Sequence, residues 1–184
     1  MAIYERWNEV KVSDAAKRIG VSTKSASRCF DELEYLNIDV LGMKGKSRVI
    51  NIPNDRKQVW QQIENVLRNP VIRRFVLRED MKIEKKAGIS ALCEYSLLSD
   101  NVYPTYAVTK KELKDSAVKV EKQVSELEEI GCVVLELGYF IDFLGKGFQD
   151  PLSVVLSLTG EEQEEERVDI SINEMLEEYV WSKD

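Results

Sequence analysis

The sequence predicts an α+β protein in which a helical front module with a β-hairpin precedes a second α+β domain built on a smaller sheet. Apolar residues recur at three- and four-residue spacing within the first 36 residues, as they do on the buried face of a helix. Two β-rich runs surround a glycine-containing turn in residues 38–52, and residues 132–140 form the strongest strand candidate. Both helices and strands are therefore expected, in two successive parts of the chain.

The composition is that of an ordinary globular protein. The chain has 184 residues, 43% of them apolar and 32% charged, which is enough for one ample core or two small domains. No stretch approaches the roughly 18 consecutive apolar residues of a membrane span. The first residues also carry charge where a signal peptide needs an apolar run. We therefore expect a cytoplasmic protein without a membrane partner.

Histidine and cysteine usage narrows the chemistry. The sequence contains no histidine, which excludes Ser-His-Asp and Cys-His catalysis and imidazole metal sites. The three cysteines, Cys29, Cys93 and Cys132, are far apart and form no C-x-x-C pair, so neither a disulfide framework nor a zinc site is indicated. Each cysteine is expected to be a small buried residue in a reducing compartment, and no metal or cofactor is predicted.

Charge is distributed unevenly along the chain. Residues 1–86 contain 18 Lys and Arg against 12 Asp and Glu, a net charge of +6, whereas residues 87–184 contain 8 against 21, a net charge of −13. Neutralisation of phosphates by Lys and Arg supplies most of the non-specific affinity of proteins for DNA. The basic half therefore directs attention to a polyanion-binding module at the front of the chain.

The first twenty residues predict two helices. Apolar residues among the first ten fit one helical face, and because no capping residue precedes them we expect that helix to begin upstream, in a longer natural protein. Ser13 is a good N-cap for a short second helix over residues 14–19, and Gly20 ends it. The apolar residues of the first helix are Ile3, Trp7 and Val10.

A longer helix is predicted from the Ser22 N-cap to about Asn37. Its apolar residues recur at helical spacing and are expected to face inward. Because successive residues rotate by about 100°, a polar set lies away from that stripe, with its basic members in the N-terminal half. The inward set is Ala26, Cys29, Phe30, Leu33 and Leu36, and the outward set is Lys24, Ser27, Arg28, Asp31 and Tyr35.

Residues 38–52 predict a β-hairpin that Pro53 closes. Lys44, Lys46 and Arg48 lie at or beside its tip. A hairpin that follows a DNA-reading helix can reach the sugar-phosphate backbone with such cations. We therefore expect this hairpin to act as a wing.

Residues 12–52 resemble the winged helix-turn-helix of bacterial transcription regulators, particularly the MarR-like group. The resemblance is carried by the run Ser-Asp-Ala-Ala-Lys-Arg-Ile-Gly-Val-Ser-Thr-Lys-Ser-Ala-Ser-Arg-Cys-Phe-Asp-Glu-Leu-Glu at residues 13–34. It implies a module of three helices plus a hairpin that binds double-stranded DNA in a sequence-specific way. It assigns base reading to Thr23, Lys24, Ser27 and Arg28, and phosphate contacts to Lys44, Lys46 and Arg48.

Other interpretations of these residues stay open. Lys24 and Arg28 also fit ordinary solvated positions of a helix, and some winged helices bind only proteins. Asp31 and Glu32 would repel phosphates unless they face cytosine N4 or the wing. Tyr35 is expected to be a packing residue rather than one that stacks on a base.

We predict three segments along the chain. Residues 1–53 form the DNA-binding module, residues 54–86 form a connector helix and linker, and residues 87–184 form an acidic α+β domain for an effector or for oligomerisation. The elements expected after Pro53 are a helix capped at Asn54 or Asp55 and ending near Arg68, a strand or short helix at 71–78, a helix at 88–98, a strand at 103–108, an alternation of Val118, Val120 and Val124, a strand at 132–140, a helix capped by Asp150 and ended by Gly160, and an acidic helix from Val168 to Tyr179.

The second half resembles the C-terminal domain of uncharacterised bacterial proteins labelled MarR-like regulators, through residues 88–98, 104–108 and 150–158. More faintly, it is similar to antitoxins that partner nucleotidyltransferase-type toxins. The first likeness implies a transcription regulator, expected to be a repressor, whose second half recognises a protein or small-molecule effector. The second implies a module that neutralises a toxin and represses its own operon. A homodimer is favoured because one recognition helix covers only a half-site.

Enzyme motifs are not fulfilled. The run Gly42-Met-Lys-Gly-Lys-Ser47 imitates the end of a P-loop, but Val40 stands where the motif needs glycine, and a strand rather than a helix follows. Asp142 and Asp150 flank a glycine-rich loop that can bind a phosphate or a metal, although a turn with a helix cap is the stronger interpretation. We therefore do not expect an enzyme.

Overall fold

The protein is α+β and divides into two compact units, Met1–Leu67 and Arg68–Asp184. Each unit contains a three-stranded sheet. None of the helices that the structure describes combines the length and apolar character needed to cross a membrane. The structure is a computed structural model that describes residues 1–99, 101–115, 130–142 and 145–182.

The first unit combines helices with a small antiparallel sheet. The strand order is β1-β3-β2, so the last strand of the hairpin lies in the centre and pairs with both of its neighbours. Its elements are β1 (Val10–Lys11), α1 (Val12–Ile19), α2 (Thr23–Tyr35), β2 (Leu41–Lys44), β3 (Ser47–Ile50) and α3 (Arg56–Ile63).

Turn and capping chemistry places α1 and α2. Gly20 ends α1 in the left-handed conformation, with φ at 70°, which suits a residue without a Cβ. Ser22 caps α2, as predicted, by accepting a hydrogen bond from the backbone N–H of Ser25 at 3.1 Å. Ser13 is not the N-cap of α1, because β1 runs directly into the helix and leaves Lys11 at the cap position.

The helix predicted over the first ten residues is replaced by turns and a strand. Ile3 and Trp7 are buried, as an inward face requires. However, Arg6 and Glu9 have φ values of 48° and 51°, which a continuous right-handed helix does not contain. Val10 then pairs with β3. The buried positions were identified correctly, but pairing with a distant strand overrode the helical period.

The core of the first unit includes α3, which the sequence placed in a connector. Asp55 caps this helix by accepting a hydrogen bond from the N–H of Gln58 at 3.0 Å. Because α3 packs Val59 into the core, the first unit extends to Leu67 rather than ending at residue 53. The buried cluster consists of Trp7, Val10, Ala15, Phe30, Ile38, Val40, Ile50 and Val59.

The second unit is organised around a buried central strand. The strand order is β4-β6-β5, with β4 antiparallel and β5 parallel to β6, all six residues of which are buried. Helices α4, α6 and α8 pack on one another. The elements are β4 (Val71–Leu77), α4 (Gly88–Tyr95), β5 (Thr105–Thr109), α5 (Lys110–Asp115), β6 (Cys132–Leu137), α6 (Pro151–Ser157), α7 (Gly160–Glu164), α8 (Glu166–Leu176) and a π-helical turn over Glu177–Trp181.

Capping also decides where the later helices begin. Asp150 caps α6, as predicted, by accepting a hydrogen bond from the N–H of Ser153 at 3.2 Å. Gly160 opens α7 instead of ending α6, because Thr159 acts as the N-cap of α7. The alternating residues Val118, Val120 and Val124, for which the sequence predicted a strand-like pattern, lie outside the described residues.

Candidate nucleic-acid interface

Helix α2 is anchored through a narrow buried face. Ala26 and Phe30 are buried, and Leu33 packs against the core of the first unit. Cys29 and Leu36, which the sequence placed on the same stripe, are exposed. At about 100° per residue these two side chains lie at the edge of the stripe, beyond the arc that the core covers.

The opposite face of α2 presents the predicted reading residues. Thr23, Lys24 and Arg28 are exposed, whereas Ser27 is half-buried. None of the ion pairs formed among the described residues includes Lys24 or Arg28. Both cations are therefore available to an external anion.

Tyr35 lies on this same outward face and does not pack as the sequence analysis expected. Its side chain is 89% exposed. Together with Arg28, Asp31 and Glu32 it lines a shallow depression of about 250 Å³. Glu32 follows Arg28 by four residues, slightly more than one helical turn, which is why the two side chains share a face.

Arg48 joins the hairpin to α2 instead of projecting from it. Its Nη1 lies 2.5 Å from Asp31 Oδ1 and 3.4 Å from Glu34 Oε2, and its Nη2 donates to Ser27 Oγ at 3.0 Å. The guanidinium carbon also lies 6.0 Å from the ring centroid of Phe30. The hydrogen bond with Asp31 is the main reason that the pKa of Arg48 is raised above its ordinary value. The predicted phosphate contact is thus engaged within the first unit.

The other two hairpin cations, Lys44 and Lys46, are close in sequence but have different surroundings. Lys44 forms an ion pair with Glu9, and both side chains are about half exposed. Lys46 lies in the two-residue turn between β2 and β3, next to Gly45, whose φ is 63°. It is exposed and takes part in no ion pair within the parts of the chain that the structure describes. Lys46 therefore has its ammonium group directed at solvent.

The boundary between the units changes the charge attributed to the first one. Met1–Leu67 contains 11 Lys and Arg against 9 Asp and Glu, a net charge of +2, whereas the second unit contains 15 against 24, a net charge of −9. Seven of the basic residues in the front half thus belong to the second unit. An anion would be attracted by a few positioned cations rather than by a strongly basic surface.

The glycine-rich loop of the second unit is organised by its own carboxylate. Asp142 Oδ1 accepts a hydrogen bond from the N–H of Lys146 at 3.0 Å, and Oδ2 accepts one from Gly147 at 3.1 Å. These N–H groups are the kind that a bound phosphate would use. In the described ranges, no group of three or more His, Cys, Asp or Glu residues is placed to hold a metal ion.

The sequence left open that Asp31 faces the wing, as it does through Arg48, but two other acidic partners, Glu34 and Glu9, were not predicted. Asp31 and Glu34 bind Arg48, and Glu9 binds Lys44. The available signal for the first pair was the position of Asp31 on the outward face of α2, where a carboxylate needs a cation if phosphates approach. Glu9 carried no such signal, because it lies in a segment predicted to be helical.

The candidate interface therefore consists of four exposed residues, with Arg48 bridging the two elements that carry them. No protein-family model, curated protein or solved structure matches the chain. Function is accordingly inferred from the geometry and charge of the first unit alone. The four exposed residues are Thr23, Lys24, Arg28 and Lys46.

Proposed function

We propose that the first unit is a winged helix-turn-helix module that binds double-stranded DNA in a sequence-specific way, and that the protein is a transcription regulator. Helix α2 is the reading helix, and its N-terminal half enters the major groove. The observation that supports this most directly is the exposure of Lys24 and Arg28 opposite the buried Ala26 and Phe30. Arginine and lysine in this position can bond to the O6 and N7 atoms of guanine.

The hairpin supplies the second contact. Lys46 at its tip binds the sugar-phosphate backbone, and Thr23 at the first turn of α2 offers a hydroxyl to a phosphate. Ser27, Lys44 and Arg48, which the resemblance also places on DNA, are internal partners in this proposal because each is already engaged within the unit. The proposed contacts are therefore fewer than the resemblance implied.

We also propose that two copies of the chain act together on one operator. A single reading helix covers a half-site, and the modest charge of the first unit limits non-specific affinity. Because Lys46 is the one cation proposed to neutralise a phosphate, its contribution to the slope of log K against log salt is about −0.9 for one copy and about −1.8 for two. The second unit then serves self-association or recognises a ligand or protein.

The test is selection of bound duplexes from a random pool with the full chain at physiological salt. We expect an enriched consensus with two half-sites about 10–10.5 base pairs apart, or a multiple of that spacing. A folded Lys24→Ala/Arg28→Ala variant is the matched control and should enrich no consensus. If the folded wild-type protein enriches no sequence, the proposal is refuted, and the antitoxin-like interpretation of residues 87–184 gains instead.

A further inference from the structure

The C-terminal half of α2 carries charges that oppose DNA binding. Asp31, Glu32 and Glu34 follow the two reading cations within about three turns of the helix. All three are exposed. A carboxylate close to a phosphate weakens binding through like-charge repulsion. Helix α2 can therefore bind a polyanion only if nearby cations compensate part of this negative charge.

Arg48 provides part of that compensation, because its single positive charge offsets one of the two negative charges on Asp31 and Glu34. It contacts Asp31 and Glu34 but has no contact with Glu32 among the interactions of the described residues. Ser27, Asp31 and Glu34 recur at spacings of four and three residues, so they form one stripe along the flank of α2. The guanidinium lies against this stripe.

The contact is favoured by the position of Arg48 in the sheet. Its backbone is paired with Met43 across the hairpin, in the strand that also pairs with β1. Its side chain is 30% exposed, compared with 58% for Asp31 and 70% for Glu34. Because the backbone of Arg48 is fixed in the sheet and its guanidinium lies near the ring of Phe30, the side chain loses little conformational freedom on binding carboxylates.

We propose that Arg48 is a positioning residue of the DNA interface, which acts through Asp31 and Glu34 by offsetting part of their negative charge and does not itself touch DNA. This inference rests on the proposed DNA-binding function. It accounts for a hairpin cation that faces the helix instead of the solvent. It also explains why carboxylates are tolerated in the C-terminal half of α2, the reading helix.

The experiment measures the affinity of full-length variants for the selected duplex. Arg48→Gln should weaken binding about tenfold, because it uncovers two carboxylates near the phosphates. Adding Asp31→Asn and Glu34→Gln to that variant removes two negative charges and should restore affinity at least to that of wild type. These changes cannot rebuild the ion pair, so restored affinity would distinguish neutralisation of charge from a purely structural bridge.

Glu32→Gln is the matched control, since it removes a neighbouring carboxylate that Arg48 does not contact. It should raise affinity by the same factor with Arg48 present or replaced by Gln. Asp31→Asn removes an equal charge but also breaks the pair with Arg48, and it too should raise affinity both in wild type and in the Arg48→Gln protein. A loss of affinity from Asp31→Asn in wild type but not in the Arg48→Gln protein would overturn the inference and indicate that Arg48 only holds the hairpin.

A second comparison keeps the inference falsifiable if Arg48→Gln does not fold. In the wild-type background, Asp31→Asn/Glu34→Gln should raise affinity more than the single Glu32→Gln, because it removes two negative charges and leaves the positive charge of Arg48 in place. A loss of affinity from the double change would contradict the inference, since it would mean that the ion pairs matter only for holding the hairpin. If wild-type protein binds no duplex, the proposed function itself fails, and that result is distinct from either outcome above.

Discussion

Arg73 and Glu136 face each other across strands β4 and β6, with Nε of the arginine 2.5 Å from Oε2 of the glutamate. The side chain of Glu136 is 2% exposed, whereas that of Arg73 is 56% exposed. Within the described chain, Arg73 is the only hydrogen-bond donor to this carboxylate. A buried charge in the central strand of the second unit therefore depends on a cation that solvent reaches.

Arg73→Ala should lower the free energy of unfolding by about 1–3 kcal/mol, because it leaves a buried carboxylate without its donor. The same change made together with Glu136→Gln should be less costly, since a neutral amide is easier to bury. Urea denaturation of the four proteins of this double-mutant cycle measures both effects. Equal costs of Arg73→Ala in the two backgrounds would show that the pair is not coupled.

Gly20→Ala should destabilise the first unit by about 1–2 kcal/mol through backbone strain alone. The φ of Gly20 is 70°, and a Cβ added there would meet nothing within 4 Å, so a steric clash is not the cause. Gly160 is the matched control, because it has equally open surroundings without a positive φ. Gly160→Ala should leave the melting temperature unchanged or raise it slightly. A similar loss at both positions would refute this explanation.

Glu112 should make the free energy of unfolding of the second unit depend on pH in the acidic range. Its ion pair with Lys85, together with the hydrogen bond from the N–H of Thr109, lowers its pKa to about 2 from an ordinary value of about 4.5. A lowered pKa means that this stabilisation is complete above pH 4.5 and is lost as the pH falls towards 2. The effect is small because the side chain is largely solvated.

The measurement is the free energy of unfolding of wild type and Glu112→Gln between pH 6 and pH 2.5. We expect the difference between the two proteins to shrink as the pH falls below about 4.5. Lys85→Met should make the stability of the second unit less dependent on pH in this range, because the contact with Lys85 is the larger cause of the lowered pKa of Glu112. A difference that stays constant over this range would contradict the assignment.

Arg28→Ala should relax sequence preference at the base pair that it reads, at a cost of about 1–3 kcal/mol in binding free energy. The physical reason is the loss of a directional contact with a base edge, which a phosphate contact cannot replace. Titration of the selected duplex and of its single-base variants at several salt concentrations measures this. Unchanged discrimination between those duplexes would refute the reading role of Arg28.

Lys46→Ala should weaken binding to all duplexes by a similar factor and make the slope of log K against log salt less steep by about 0.9 for each bound copy, or about 1.8 for the proposed pair of copies. Lys44→Ala is the matched control on the same hairpin and should have a smaller effect, since its ammonium group is already paired with Glu9. The salt dependence of both variants is measured on specific and scrambled duplexes. A larger effect of Lys44→Ala would contradict the proposed contact.

The sequence predicted the local elements of the first unit better than their assembly. The Ser22 cap, the Gly20 turn and the residue 38–52 hairpin are confirmed. The helix predicted around Trp7 is wrong, because an apolar spacing of three and four residues can also arise from a turn that enters a strand. The connector helix carries Val59 into the core, which no local signal announced.

The sequence by itself determined that α2 begins at Ser22 and turns Lys24 and Arg28 away from its apolar stripe, because caps and helical periodicity act within a few residues. Only the tertiary structure decided which cations stay exposed to solvent. Arg48 meets Asp31 across 17 positions, and Lys44 meets Glu9 across 35. Such pairs form only when the sheet brings the hairpin against distant segments. They determine which cations of the first unit remain exposed and can bind a polyanion.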